Sequence, residues 1–145
     1  MSDTTNRQLV VFSLGQEEYA LPITHVHEII RYSEPRSVAS PTPWVRGVIS
    51  LRGKIVPVYD LAHRLALTVE RTESAKIVIV ETGAGLAGVI VDDVEEVMTV
   101  SEADLDVAPA AGRELIESIA KVGDRLVVLL APQGIFGGDE LSAAA

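Results

Sequence analysis

The sequence has 145 residues, 12 basic against 21 acidic side chains, a formal net charge of -9, 4% aromatic residues and no cysteine. That length suits one domain burying roughly two-thirds of its unfolded surface, so a core needs neither disulfide nor metal. The acidity and scarce aromatics argue against nucleic-acid binding, and the missing Cys excludes a disulfide framework, a thiolate zinc site and a cysteine nucleophile while fitting a reducing compartment.

The start, Met1 to Arg7, is polar, and no apolar run approaches the ~20 residues that span a bilayer. A cytoplasmic location is expected. Most apolar stretches are short, β-branched and bounded by Gly, Pro or charge, which predicts strands. The first is Leu9 to Leu14, turned by Gly15-Gln16-Glu17-Glu18 into Tyr19-Ala20-Leu21. Val26 to Ile30 is the next, and the proline-bearing stretch Ser33 to Pro43 reads as an exposed connection. Val45 to Leu51 and Lys54 to Tyr59 pair around Arg52-Gly53, where glycine can supply the positive φ of a tight hairpin. Pro57 has no N–H, which predicts an edge strand or a bulge. Asp60 can cap a short helix through Leu67. Ile77 to Val80 and Leu86 to Val91 form another hairpin around Thr82-Gly83-Ala84-Gly85. Ser101 with Asp104 suggests a capping box, and Ile116 to Val122 pairs with Leu126 to Leu130 across Gly123-Asp124. The tail from Gly137 is small and polar and is expected to fray.

An internal echo runs through these elements. Val26-His27-Glu28-Ile29 returns as Val94-Glu95-Glu96-Val97, and Lys54-Ile55-Val56 as Arg125-Leu126-Val127, a spacing of roughly 70 residues. This predicts two similar β units, although unrelated hairpins would share part of the likeness. Small barrels suit short strands because closure removes exposed edges, and two side by side leave a groove for binding.

Catalytic chemistry is not visible. His25 and His27 alternate but lack a third ligand and read as a solvated face. Asp92, Asp93, Glu95 and Glu96 follow a strand, so alternate carboxylates point apart and read as a solvated or partner-facing edge. Thr82-Gly83-Ala84-Gly85 opens no helix and is followed by no Lys-Ser/Thr, so it is no phosphate loop. No catalytic, cofactor or metal residue is assigned. Arg52 at a hairpin tip is either an interface fork or a solvated turn residue. Glu28, a lone carboxylate on an apolar strand, either pairs with a cation or marks an exposed edge. Trp44 is an interface anchor or packs on its own barrel.

The chain resembles the CheW family of bacterial chemotaxis coupling proteins. The resemblance rests on Phe12-Ser13-Leu14-Gly15, Glu18-Tyr19-Ala20-Leu21-Pro22-Ile23, Val26-His27-Glu28-Ile29-Ile30, the long run Pro43 to Leu61 with Arg52-Gly53 at its centre, Gly88 to Val97, and Leu126 to Leu130. It implies an all-β fold of two SH3-like five-stranded barrels packed side by side, with short helical turns, in one domain over 7–136. About 15–68 would form mainly the first barrel and about 75–136 mainly the second, the N-terminal strand crossing between them, with 1–6 and 137–145 as flexible termini. It implies a non-catalytic adaptor without cofactor. Such an adaptor joins the cytoplasmic tips of methyl-accepting chemoreceptors to the regulatory domain of a CheA-like histidine kinase, assembles in rings with kinase domains, and is recruited to membrane arrays through its partners without inserting in the membrane. Partner-binding positions implied are Val26, Glu28, Gly47, Arg52 and Gly53, with the receptor tip in the groove near Val26, Ile30 and Val91 and the kinase on exposed apolar barrel surface. Two residues depart from the family pattern: Ser50 stands where Asn is usual, and Ala62 where Arg is usual, with His63 and Arg64 following. Adaptors of other chemosensory pathways, driving pili or other outputs, look much the same. A small β-barrel enzyme or ligand-binding protein is the distant alternative and would need a pocket with converging polar groups.

Overall fold

The structure is a computed structural model that describes residues 6–39, 43–67, 73–83, 85–108 and 114–136. The expected fraying termini fall outside these residues except for Asn6, which already belongs to a strand. In chain order the strands are β1 (Asn6–Leu14), β2 (Glu17–Pro22), β3 (Val26–Arg31), β4 (Val45–Leu51) and β5 (Lys54–Asp60), then β6 (Lys76–Thr82), β7 (Gly85–Val91), β8 (Asp93–Ser101), β9 (Leu105–Val107), β10 (Ile116–Val122) and β11 (Arg125–Leu130). Two helical turns, α1 (Leu61–Arg64) and α2 (Pro132–Ile135), follow β5 and β11.

Two sheets result, one ordered β3-β6-β7-β5-β4 and the other β8-β1-β2-β11-β10-β9. They share one plan. The pairs β3–β6, β6–β7 and β4–β5 are antiparallel and β5–β7 is parallel. Likewise β8–β1, β1–β2 and β10–β11 are antiparallel and β11–β2 is parallel. Bulges recur at matching places, between Val26 and Glu28 as between Val94 and Glu96, and between Val45 and Gly47 as between Ile116 and Ser118. The echo in the sequence is therefore a repeat of topology. The six-stranded sheet owes its extra strand to β9, which borders β10. In the other sheet the isolated bridge Arg36↔Val48 borders β4 in the same way.

Each sheet takes most of its strands from one of the two stretches, β3, β4 and β5 from 15–68 and β8 to β11 from 75–136, and completes itself with a hairpin from elsewhere. β2, inside 15–68, pairs with β11, and β6 and β7, inside 75–136, pair with β3 and β5. The hairpin β1–β2 thus completes one barrel as β6–β7 completes the other. Neither sheet joins its outer strands by a ladder. The SH3-like curl is instead visible in side chains: Arg52, at the β4–β5 edge, reaches Glu28 on β3 at the opposite edge.

Three apolar cores explain the near-continuous hydrophobic runs, because strands covered on both faces need apolar residues at every position. Leu9, Val11, Ala20, Val127 and Leu129 fill the six-stranded barrel, and Val56, Val58, Ile77, Ile79 and Ile90 fill the five-stranded one. The alternate residues Phe12, Leu14, Val78, Val80, Val89 and Leu130 form a third core between the sheets. Each fully buried side chain of this size contributes about 1.5–3 kcal/mol, so the middle core is a substantial part of what holds the fold together. The helical turns seal this middle layer, with Tyr59 edge-on to Phe136 at 5.2 Å between ring centroids.

Local signals in the sequence act as expected at several ends. Asp60 caps α1 by accepting from the His63 N–H at 3.1 Å. Ser101 starts a 3₁₀ turn over Glu102–Asp104, but by a single cap, accepting from the Ala103 N–H at 3.1 Å, in place of the expected reciprocal box with Asp104. α1 stops at Arg64, short of Leu67, because Ala66 turns left-handed at φ 61. The Ala66 N–H then donates to the His63 carbonyl and the Leu67 N–H to the Ala62 carbonyl, closing a Schellman motif. Pro57 does not mark an edge, since β5 lies between β7 and β4. Its effect is to end the β5–β7 ladder, which begins only at Val58↔Gly88.

Candidate functional site

The β4–β5 ladder ends at Leu51↔Lys54, leaving Arg52 and Gly53 as a two-residue turn with φ of 50 and 84. Positive φ at both positions is the type I′ geometry that matches strand twist. Glycine adopts it freely, whereas arginine there is disfavoured by about 1 kcal/mol. The Arg52 Nη2 donates to Glu28 Oε1 across the barrel mouth. The Arg52 side chain is 65% exposed, and an ion pair that open to water contributes about 0–1 kcal/mol.

Contacts lead on from this pair. His27, the bulged residue of β3, has Nε2 3.7 Å from Glu28 Oε1 and Nδ1 3.3 Å from Glu81 Oε2. Glu81 in turn borders a cavity of about 380 Å³ with Lys54, Ile55, Val56, Pro57 and Leu86. Ile55 is 68% exposed at its rim. The mouth of this barrel therefore joins an exposed cation, its carboxylate, uncovered apolar surface and an open cleft.

The other barrel mouth repeats the theme. Arg125 donates to both Glu18 oxygens, at 3.1 and 2.8 Å, and lies 2.8 Å from Glu96 on the opposite edge strand. The hydrogen bonds from Arg125 hold the Glu18 carboxyl below its usual range, and those carboxylates raise the Arg125 guanidinium. Leu126, in the place of Ile55, is 61% exposed, and Val97, in the place of Ile29, is exposed as well. Composition does not single out Arg125 or Glu96, but the echo matching Lys54 to Arg125 and Glu28 to Glu96 carries the signal.

The residues expected to bind partners do not form one surface. Glu28, Arg52 and Gly53 meet at the barrel mouth. Val26 is half-buried against the core between the sheets, and Ile30 is half-buried against the core of the five-stranded barrel. Val91 is 0% exposed within the middle core, so its side chain offers no open surface. β7 is covered on both faces, and an apolar residue on it meets one core or the other. Beside Val91 the space left between the sheets is a cavity of about 90 Å³, lined also by Arg46 and Asp60, which pair at 3.2 Å. Gly47 is buried where the 33–39 connection crosses β4, with Arg36 and Val48 exchanging two backbone hydrogen bonds.

Trp44 packs on its own fold, half-buried, with the Arg64 guanidinium 4.4 Å above its ring. Arg64 also donates to the Gly134 carbonyl at 3.3 Å, tying α1 to α2. Ala62 is buried and Ser50 exposed, so of the two departures only Ser50 lies on open surface. The acidic cluster disperses: Asp92 accepts from the Gly15 N–H at 2.6 Å, Asp93 lies 3.7 Å from Lys76, and Glu96 serves Arg125.

A family profile described as CheW-like domain matches residues 8–140. The chain is 32% identical over 145 residues to the chemotaxis protein CheW of Bacillus subtilis, covering 97% of this chain and 93% of that protein. It is 27% identical to the chemotaxis protein CheW of Klebsiella aerogenes, covering 97% of this chain and 87% of that one. The crystal structure of the scaffolding protein TtCheW from Thermoanaerobacter tengcongensis superposes with a TM-score of 0.82 at 33% identity, covering 88% of this chain and 90% of that one.

Proposed function

The chain belongs to the CheW-like domain family, whose members are adaptors of chemotaxis signalling, and from that membership we propose how its surface engages its partners. It couples the cytoplasmic tips of methyl-accepting chemoreceptors to the regulatory domain of a CheA-type histidine kinase, and it catalyses nothing itself. No helix among the described residues is long and apolar enough to cross a membrane, and the receptors bring the chain to the membrane array. Arg52 is the contact residue at the barrel mouth, oriented by Glu28 and by the turn that Gly53 permits. Val26 and Ile30 border the receptor-facing side, and Gly47 and Val91 act by shaping the backbone and core beneath.

The observation that supports this reading is Arg52 itself. Its backbone sits in a conformation costly for arginine, and its exposed ion pair contributes too little to stability to favour that choice. A side chain kept there at a cost to stability is explained by what it meets outside the chain. Uncovered Ile55 and Leu126 are likewise surface that a binding partner would cover.

The test is reconstitution. Receptor in lipid vesicles, the kinase of the same organism and the purified chain are mixed, and the kinase pelleting with the vesicles is measured. The expected result is kinase capture only when the chain is present, reduced by Arg52→Ala. Equal capture with and without the chain overturns the adaptor reading.

A further inference from the structure

Each barrel mouth carries a hairpin tip of the same build. Residues 50–55 join β4 to β5, and residues 121–126 join β10 to β11. Neither tip holds a buried residue. Each is bounded by a buried pair, Ile49↔Val56 in one barrel and Ala120↔Val127 in the other. Leu51 and Val122 are half-buried in the same way, each against the core of its own barrel.

The tips differ in what ties them to the strand beside them. The hairpin ends Thr82↔Gly85 and Leu14↔Glu17 correspond, as do the parallel pairs Val58↔Gly88 and Leu129↔Ala20. In that register Lys54 takes the place of Arg125, Leu86 that of Glu18 and Pro57 that of Val128. Arg125 is held by Glu18 and Glu96, and Lys121 lies 3.0 Å from Asp106. Beneath that tip the β11–β2 ladder begins at once, at Val127↔Glu18. Lys54 has Leu86 where Arg125 has a carboxylate, and among the described residues it has no ion-pair partner. The β5–β7 ladder begins two residues later, at Val58↔Gly88.

Pro57 accounts for the lost rungs. Val48 directs both its N–H and its carbonyl to Arg36, away from β5. Val48↔Pro57 is therefore a pair without mutual hydrogen bonds, and the backbone of Pro57 faces β7. There proline has no N–H to donate. The cavity of about 380 Å³ lies along this stretch, lined by Lys54, Ile55, Val56 and Pro57 on one side and by Leu86 on the other. The 50–55 tip thus borders open space where its counterpart borders a strand.

We propose that the missing rungs and the missing carboxylate make the 50–55 tip a hinged arm, which swings toward and away from the β6–β7 hairpin while the 121–126 tip stays fixed. The pivot is the pair Ile49 and Val56, because both side chains are anchored in the barrel core. Segments with few buried apolar contacts and unpaired strand sides are the ones that open locally. Arg52 rides on the arm and is carried over a range of positions, whereas the other mouth presents Arg125 in one. The inference concerns the chain without partners, so it stands or falls separately from the adaptor reading.

Backbone ¹⁵N order parameters and relaxation dispersion of the intact chain, free of partners, test it, since together they cover nanosecond and microsecond-to-millisecond motion. Lowered order or exchange broadening is expected at residues 51–55 and at Leu86 across the cavity, with 121–126 rigid. Pro57→Val supplies the N–H facing β7, so the ladder can extend as it does at Val128. The tip is expected to lose its excess mobility and position 57 to gain exchange protection. Leu86→Glu gives Lys54 the carboxylate that Arg125 has, and is expected to lower the open population about two- to fivefold, as an exposed ion pair does. A 50–55 tip no more mobile than 121–126 in the wild-type chain overturns the proposal. So does a tip that stays equally mobile in both variants. If Pro57→Val does not fold, the comparison of the two tips and Leu86→Glu decide.

Discussion

Gly47→Ala is expected to destabilise the chain chiefly by displacing the backbone of the 33–39 connection. Gly47 has φ +152, and a Cβ there would collide with the Arg36 carbonyl oxygen while standing 2.6 Å from its carbon and 3.1 Å from Ser37 Cα. These are backbone atoms, which cannot step aside as a flexible side chain can. The connection must retreat, breaking the Arg36 N–H to Val48 bond at 2.8 Å and its reciprocal at 2.9 Å. Two net backbone hydrogen bonds amount to about 1–3 kcal/mol, and a side chain at positive φ adds about 1 kcal/mol. The sum, roughly 2–4 kcal/mol, corresponds to a fall in Tm of roughly 6–12 °C for a chain of this size. Thermal unfolding measures the total, and amide exchange at Arg36 and Val48 locates it. Because Gly47 is buried and touches no partner, binding measured well below Tm should weaken only as far as the displaced 33–39 backbone reaches the contact surface, and less than it does for Arg52→Ala. A variant with wild-type Tm and wild-type protection at those amides refutes the steric argument. Weakened binding at unaltered Tm would make Gly47 a direct contact instead.

The remaining expectations are narrower. Arg52→Gly relieves the left-handed backbone and loses only an exposed ion pair, so Tm should hold or rise slightly while kinase or receptor affinity falls; a clear loss of stability would make Arg52 structural. Ala66→Gly places the residue best suited to φ 61 at the end of α1 and should stabilise by about 0.5–1 kcal/mol in denaturant unfolding; no gain would mean the Schellman motif carries no strain. Burial, reinforced by the Glu17 charge and hydrogen bond, pushes the Tyr19 phenol up to about 12. A raised phenol favours the folded state fully below its ordinary value near 10, and this contribution is lost as pH rises from there through about 12. Phenolate absorbance should therefore include a late component that Glu17→Gln shifts downward, and its absence, with Tyr19 titrating near 10, would contradict the burial.

Several features were legible because they depend on neighbours in sequence. Turn chemistry placed the Arg52-Gly53 and Gly123-Asp124 hairpins, Asp60 and Ser101 marked helical starts, and β-branched runs marked most strands. β8 was harder to see, because Asp93, Glu95 and Glu96 on an edge strand read as a solvated acidic run until Arg125 and Lys76 are seen opposite them. The repeat was legible as well, since two copies of one topology impose the same residue types at the same bulges and hairpins. Glu28 and Arg52 stood out as charges in apolar surroundings, but their pairing required the sheet to curl.

What sequence alone determined here was local and periodic: an all-β chain of short strands, two related units, and a family signature centred on Arg52-Gly53. Only the tertiary structure decided how the units are assembled. Hairpins β1–β2 and β6–β7 are both apolar on two faces, so nothing along the chain says which barrel each completes. The same two-sided burial hides whether Val91 faces a core or a groove. Pro57 announces a missing donor, yet whether that leaves an outer edge or an open cleft depends on which strand lies beside it. Such facts belong to pairs of residues far apart in the chain, and only folding brings those pairs together.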